Sequence, residues 1–146
     1  MNKFSFDPCG DKTQNKIIPL EEKGKKFTGL NGDEKLILKV KVDGCLKIKG
    51  TKCDWLLIDI EGNVAHFIEL KGCDLKHAFE QLEHTITEIS NPGRKYISKK
   101  FEKKKAYLVI SHSPLSRAKL DNKKKEFMKK FKAPLIVKKN EIKEKL

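Results

Sequence analysis

Alternating apolar and polar side chains mark the first half of the chain as β-structure. Residues 35–42 alternate between the two kinds and predict a half-buried strand. Residues 54–61 and 64–71 carry apolar side chains on both alternating faces, and they predict two strands that are covered on both sides. Gly62-Asn63 between them has the Gly-first composition of a two-residue hairpin turn. We therefore expect a central β-hairpin.

The second half of the chain changes to the period of amphipathic helices. Residues 74–90 place apolar side chains on one helical stripe and predict a helix with Asp74 as its N-cap. Ser113-Pro114 predicts the start of a second helix, which runs to about residue 132. Two strands are predicted on either side of this helix, at residues 104–111 and 135–137.

The remaining segments predict less regular structure. Residues 1–33 are rich in Gly, Pro, Asn, Asp and Lys, and they predict irregular or edge structure. After a turn at Asp43-Gly44, residues 45–48 predict a short strand. The predicted order is β-β-β-α-β-α-β, which indicates an α/β fold with a central mixed β-sheet flanked by helices.

Composition narrows the choice of partners. The 146 residues are enough for one domain, 1–146, and the net charge is +13. Residues 94–132 hold 15 basic and 3 acidic side chains, whereas residues 1–93 have a net charge of −1. A positive segment of this kind favours a polyanionic partner, nucleic acid first and an anionic membrane surface second.

Cysteine use and apolar runs indicate the compartment. No apolar run is long enough to span a membrane, and the first residues lack the pattern of a signal peptide, so we expect a cytoplasmic protein. Cys9, Cys45, Cys53 and Cys73 form no Cys-x-x-Cys pair, which argues against a structural zinc site. In a reducing compartment we expect all four as free thiols.

The predicted hairpin brings acidic groups together. A two-residue turn sets Asp54 opposite Lys71 and Leu56 opposite Glu69, so Asp54, Glu69 and Lys71 share one face. Asp54 and Glu69 are then diagonal neighbours about 7–8 Å apart. A divalent cation would relieve the repulsion between the two carboxylates, and hard oxygen ligands favour Mg²⁺ or Mn²⁺. The alternative is a structural ion pair in which Lys71 neutralises both acids.

These residues resemble a known motif. Asp54, followed 15 residues later by Glu69-Leu70-Lys71 and then by a helix, resembles the PD-(D/E)XK nuclease superfamily over roughly residues 34–110. The resemblance implies a restriction-endonuclease-like core, an α-β-β-β-α-β unit. It also implies that Asp54 and Glu69 are metal ligands, that the Leu70 carbonyl is a third ligand, and that Lys71 is the catalytic lysine.

The sequence departs from the family pattern at two places and matches it at one further residue. Cys53 stands where the family pattern has a proline. Many members use a further acid from a preceding helix; none is predicted here, although Glu34 or Glu21-Glu22 could serve. Some branches carry a glutamine on the helix after the lysine, which makes Gln81 a candidate catalytic residue that could reach the site or a DNA phosphate. A surface glutamine is the alternative.

The basic segment supplies the candidate contacts to nucleic acid. Lysine binds phosphate as a point charge and carries little base information, so we expect structure-directed or weakly specific binding. The candidate contacts are Arg94, Lys95, Lys99, Lys100, Lys103, Lys104, Lys105, Lys123, Lys124 and Lys125. Duplex or branched DNA is the expected partner, with single strands and RNA left open. A single site cuts one strand, so duplex cleavage would indicate a homodimer.

Taken together, the pattern predicts a metal-dependent DNA endonuclease that hydrolyses phosphodiester bonds with Mg²⁺ or Mn²⁺. One alternative is a non-catalytic nucleic-acid-binding or regulatory module with a nuclease-like fold. Another is a basic protein-interaction module. The net charge fits all three, and the group formed by Asp54, Glu69 and Lys71 is the reason to expect an enzyme.

Overall fold

Nine strands and two helices make up the regular structure in the computed structural model, which describes residues 3–70, 74–112 and 115–146. In chain order they are β1 (Gly10–Thr13), β2 (Ile17–Glu22), β3 (Lys25–Leu30), β4 (Ile37–Lys41), β5 (Trp55–Asp59), β6 (Val64–Leu70), α1 (Leu75–Ile89), β7 (Lys103–Ile110), α2 (Arg117–Phe131), β8 (Leu135–Lys139) and β9 (Glu141–Lys145).

The larger sheet is mixed and has the strand order β1-β4-β5-β6-β7-β8. Strands β1, β4, β5 and β6 are antiparallel neighbours, whereas β7 pairs parallel to β6 and β8 pairs parallel to β7. The start of β5 and the last residues of β6, β7 and β8 therefore meet at one end of this sheet. We call it the Asp54 end, and the opposite end, where β7 begins, the Lys104 end.

Helix α1 forms as its sequence predicts. The Asp74 carboxylate accepts a hydrogen bond from the backbone N–H of His77 at 3.1 Å, which satisfies one of the donors left over at a helix N-terminus. The apolar stripe, with Ala78, Leu82 and Ile86, is buried against the sheet. The helix thus covers one face of the central hairpin.

Helix α2 begins later than predicted. Its N-cap is Ser116, whose hydroxyl accepts a hydrogen bond from the N–H of Lys119 at 3.2 Å. Ser113 and Pro114, which the sequence suggests as the cap, lie outside the described residues. Phe127 and Phe131 are its buried side chains. In the part of the chain that the structure describes, no helix is long and apolar enough to cross a membrane.

A second, three-stranded sheet covers the other face of the hairpin. Its order is β2-β3-β9, and β9 pairs parallel to β3. Ile18, Leu20 and Phe27 pack with Leu57 and Ile68 of the hairpin. The expectation that the hairpin is covered on both sides is confirmed. The expectation of irregular or edge structure for residues 1–33 is confirmed in part, because β1 and β2 are edge strands of the two sheets. The segment is more regular than expected, with three short strands among its Pro, Gly and Lys residues.

The hairpin turn is longer than predicted, and this changes its register. Residues 60–63 form the connection, and Gly62 N–H donates to the Asp59 carboxylate at 3.1 Å. Asp59 therefore faces Val64, and His66 faces Leu57 rather than Asp59 as a two-residue turn would require. The shift is even, so every side chain keeps its predicted face.

The segment before β5 also departs from prediction. Residues 45–48 form no strand: a turn covers residues 42–45, and Leu46 N–H donates to the Val42 carbonyl at 3.0 Å. Cys45 forms a disulfide with Cys9, so the expectation of free thiols is wrong for these two residues. The N-terminal segment packs against this turn, which no spacing of cysteines could indicate. Cys53 is free and buried; Cys73 lies outside the described residues.

A buried polar cluster lies between the two sheets. His66 Nδ1 is 2.9 Å from the Tyr107 hydroxyl, and this hydroxyl donates to Glu144 Oε2 at 2.7 Å. Since the hydroxyl proton is directed at Glu144, the neutral His66 ring must donate through Nδ1. Burial, together with the positive charge of Lys105, lowers the pKa of His66 to about 4. The imidazole is therefore uncharged at neutral pH.

Acidification is expected to destabilise the fold through His66. The unfolded chain takes up a proton at this residue below about pH 6.5, whereas the folded protein does so only near the lowered pKa of about 4. The free energy of unfolding should therefore fall between these pH values by about 3 kcal/mol. Urea unfolding of the wild type at a series of pH values measures this loss.

Two glutamine variants separate this effect from general acid denaturation. His66→Gln should remove the His66 part of the pH dependence, because an amide does not titrate in this range. His112→Gln, at an exposed position, should keep the wild-type slope. An identical slope in wild type and His66→Gln would show that His66 does not contribute.

Candidate functional site

The two predicted metal ligands lie side by side at the Asp54 end. Extending the register of β5 and β6 by one residue brings Asp54 directly opposite Glu69, not diagonal to it as predicted. Each carboxylate accepts a backbone N–H from the other strand: Asp54 N–H donates to Glu69 Oε1 at 3.1 Å, and Leu70 N–H donates to Asp54 Oδ2 at 2.8 Å. The longer turn therefore shortens the distance between the acids.

The two carboxylates are buried to different degrees. Glu69 is only 1% exposed, and Asp54 is partly buried. Burial raises the pKa of Asp54, and the hydrogen bond from Leu70 opposes this increase. Burial raises the pKa of the neighbouring Cys53 thiol, and the negative charge of Glu69 adds to that shift. A cation between the acids would stabilise their ionised forms.

Helix α1 fixes the segment that leads into Asp54. Thr85 Oγ1 accepts a hydrogen bond from the Cys53 N–H at 2.8 Å. Gln81 Nε2 donates to the Lys52 carbonyl at 3.1 Å. Two consecutive residues before Asp54 are thereby tied to buried side chains of one helix. The backbone at Asp54 is fixed before any ligand arrives.

Gln81 occupies a position next to the site rather than on it. Its side chain is 7% exposed, so the surface alternative is wrong. Its amide nitrogen is used to hold Lys52, and its Oε1 is buried without a hydrogen-bond partner. The contact that the structure shows makes it a positioning residue for the strand that follows.

Two further acids lie near Asp54. The charges of Glu22, at the end of β2, and of Asp43 both raise the pKa of the Asp54 carboxyl. Glu22 is one of the N-terminal acids suggested above. Asp43 lies in the turn after β4, where its sequence context predicts a turn residue first and a role near the site second. Glu22 Oε1 is also 3.7 Å from Lys41 Nζ, so this ion pair partly neutralises the charge of Glu22.

The described residues do not form a complete metal site from side chains alone. Within residues 3–70, 74–112 and 115–146, no three His, Cys, Asp or Glu side chains are arranged to hold an ion. Lys71, the predicted catalytic lysine, lies outside the described residues. The predicted ligand set, two carboxylates and the Leu70 carbonyl, needs water to complete it, which suits Mg²⁺ because this ion keeps several water ligands in proteins.

The basic residues predicted to bind nucleic acid are spread along the molecule. Lys103 pairs with Val64 at the start of β6, whereas Glu69 pairs with Leu108. Five residues of extended strand separate Lys103 from Leu108, about 17 Å. Lys100, Lys103 and Lys104 therefore lie around the Lys104 end, away from the two carboxylates. Arg94 and Lys95 line a different cavity, beside Lys47 and Lys49.

Acidic neighbours already partner part of the predicted basic surface. These surface pairs are worth little individually, but they reduce the charge that remains for a polyanion. The pairs are Arg94–Glu88 at 3.5 Å, Lys99–Glu102 at 3.8 Å, Lys105–Glu144 at 3.9 Å and Lys123–Glu83 at 3.2 Å.

Three other lysines lie at the Asp54 end, near the two carboxylates. Lys138 and Leu70 both pair with Val109, so they are level and two strands apart, about 10 Å. Lys139 follows Lys138 at the end of β8. Lys41 ends β4 beside β5. The density of charge along the chain does not reveal these residues, since only the pairing of strands brings them to the Asp54 end.

Comparisons with known proteins identify no relative. No protein-family model matches the chain, and neither the curated proteins nor the solved structures include a significant match to it.

Proposed function

We propose that the protein is a metal-dependent nuclease that hydrolyses phosphodiester bonds in DNA, with Asp54 and Glu69 holding Mg²⁺ or Mn²⁺. The observation that carries the proposal is the opposition of these two carboxylates across adjacent strands, with Glu69 buried and Asp54 partly buried. Such an arrangement disfavours charge unless a cation is present.

The donor set fits a hard divalent ion. Asp54 and Glu69 would supply one oxygen or more each, since a carboxylate has about four acceptor sites and one backbone N–H uses a single site. The Leu70 carbonyl is a further ligand in this proposal, because Leu70 directs its N–H to Asp54 and a paired strand residue directs both backbone groups to one neighbour. Bound Mg²⁺ would activate water and neutralise charge on the phosphate.

The topology supports the restriction-endonuclease-like core. Three antiparallel strands, β4, β5 and β6, are followed by helix α1 and by β7 parallel to β6. This succession is the one that the resemblance implies after its first helix. Its carboxylates would stand at the start of the second strand and the end of the third, as Asp54 and Glu69 do. In place of a preceding helix, this chain has β2 and β3.

The polyanion would approach the Asp54 end. Lys138 and Lys139 offer positive charge there, and Lys124 and Lys125 extend it along α2, whereas Lys41 and Lys123 are already paired with Glu22 and Glu83. Lysine contacts to phosphate position a nucleic acid without reading its bases. We therefore propose a substrate recognised by its backbone and shape, with Lys71 acting beside the metal as the resemblance implies.

Cleavage of supercoiled plasmid DNA tests the function directly. The purified wild type should convert the plasmid to nicked or linear forms with Mg²⁺ or Mn²⁺, and it should be inactive in EDTA. Lys71→Ala should retain DNA binding and lose cleavage. No cleavage of plasmid, branched or single-stranded DNA by the wild type with either metal would refute the nuclease and leave the non-catalytic binding module. The same assay with RNA shows whether the substrate is DNA or RNA.

A further inference from the structure

A cavity of about 400 Å³ opens at the Lys104 end of the large sheet. It is formed by the segment before and at the start of β7 and by the C-terminal residues of both helices. Eight residues line it: Ser90, Lys100, Phe101, Glu102, Lys103, Lys104, Phe131 and Lys132. Four of the eight are lysines and one is acidic.

The walls of this cavity are held by hydrogen bonds on two sides. Asn63 Nδ2 donates to the Lys100 carbonyl at 2.8 Å, and Glu102 N–H donates to the Asn63 carbonyl at 2.9 Å. Lys132 takes the left-handed conformation that ends α2, and its N–H donates to the Met128 carbonyl at 3.0 Å. The backbone that carries the lysines is therefore preorganised.

The charges around the cavity are poorly balanced. Burial lowers the pKa of Lys104, and the positive charges of Lys100 and Lys132 lower it further. Glu102 also lines the cavity, but its carboxylate is 3.8 Å from Lys99 outside it. The Ser90 hydroxyl oxygen is buried without a hydrogen-bond partner. An anion in the cavity would reduce the repulsion between these lysines.

Stabilisation of helix ends does not account for the cluster. Lysines near a helix C-terminus interact favourably with its partial negative charge, and Lys129 and Lys130 in the last turn of α2 can do so. Lys100, Lys103 and Lys104 belong to a loop and a strand instead. Their convergence needs another explanation.

We propose that this cavity binds a phosphate group. A phosphate carries more than one negative charge and several acceptor oxygens, so the ammonium groups of Lys100, Lys104 and Lys132 can share it. Lys104 and Leu108, which is level with Glu69, are four residues apart on β7, about 13 Å. The phosphate site is therefore separate from the carboxylates, and it does not depend on hydrolysis there. Its occupant is either the backbone of a nucleic acid or a free polyphosphate.

Calorimetric titration of the full chain with inorganic tripolyphosphate in EDTA tests the site without any metal. Lys104→Gln and Lys132→Gln should each weaken binding about tenfold, the effect of losing one charge-assisted hydrogen bond. Lys16→Gln removes the same charge from an exposed position between β1 and β2, and it should leave binding within about twofold of wild type. Thermal unfolding without ligand verifies that the variants fold.

A second titration with duplex DNA identifies the source of the phosphate. If Lys104→Gln weakens DNA and tripolyphosphate alike, and Lys16→Gln weakens neither, the site takes a backbone phosphate. If only tripolyphosphate binding falls, the occupant is a free polyphosphate. Equal losses in Lys104→Gln and Lys16→Gln, or no binding of either probe that depends on Lys104, would overturn the proposal.

Discussion

Asp54→Asn is expected to lower the rate of metal-dependent DNA cleavage by about 10³-fold, which corresponds to about 4 kcal/mol of activation free energy. The amide loses the negative charge that would hold the ion beside Glu69. Its carbonyl oxygen can still accept the hydrogen bond that Leu70 N–H gives to Asp54. The loss should therefore appear in catalysis and in metal affinity while the hairpin stays intact. Single-turnover cleavage at saturating DNA measures it.

The stability of this variant provides the discriminating control. Removing one of two opposed carboxylates relieves repulsion, so metal-free Asp54→Asn should unfold at the same temperature as wild type or a higher one. Asp33→Asn, which removes an exposed charge between β3 and β4, should cleave at the wild-type rate. Cleavage by Asp54→Asn at the wild-type rate would show that Asp54 is not a metal ligand. A cleavage defect that merely follows loss of folded protein would do the same.

Loss of the Cys9–Cys45 disulfide is expected to produce the largest change in stability. The bond joins residues 36 apart in sequence. In the loop-closure description, a cross-link of this span stabilises the folded state by about 4 kcal/mol, which is roughly 10 °C in the unfolding temperature of a chain this size. The double variant Cys9→Ala/Cys45→Ala, followed by calorimetry under non-reducing conditions, measures the effect.

Treatment of the wild type with a reductant provides the matched comparison with the double variant. Reduced wild type should unfold at the temperature of the double variant, and the double variant should not respond to reductant. Thiol titration of the denatured wild type should find four thiols after reduction and two fewer before it, since the chain has four cysteines and one disulfide among its described residues. If the wild type is insensitive to reductant, or shows all four thiols from the start, the cross-link is absent in solution.

Patterning along the chain predicts the faces of the central hairpin but not its register. The apolar period places Leu56 and Leu57 on opposite covered sides, and both are buried as expected. The alignment of the strands depends on the turn, where the bond from Gly62 to Asp59 widens the connection. The composition of the turn predicts a two-residue connection, because composition does not indicate the hydrogen bond between Gly62 N–H and the Asp59 carboxylate. Asp54 and Glu69 keep their shared face, since the error is an even number of residues.

The contacts that the sequence could not predict are those between distant segments. The β2 and β3 strands are short and contain Pro19 and several lysines, which in isolation indicate a loop. Their apolar side chains become buried only when the two paired strands pack against the large sheet. Likewise, Lys138 becomes a neighbour of the carboxylates through the pairing of β8 with β7. Local propensity carries no information on such pairings.

The parallel pairing of β3 with β9 has a consequence for biosynthesis. Phe27 pairs with Ile142, so the sheet begun by β2 and β3 is completed by residues made more than a hundred positions later. At about 5–20 residues per second, translation leaves those early strands without their partner for roughly 6–20 s. During this interval Ile18 and Leu20 lack part of the core they later join. The nascent chain thus has a defined window in which a chaperone would protect it.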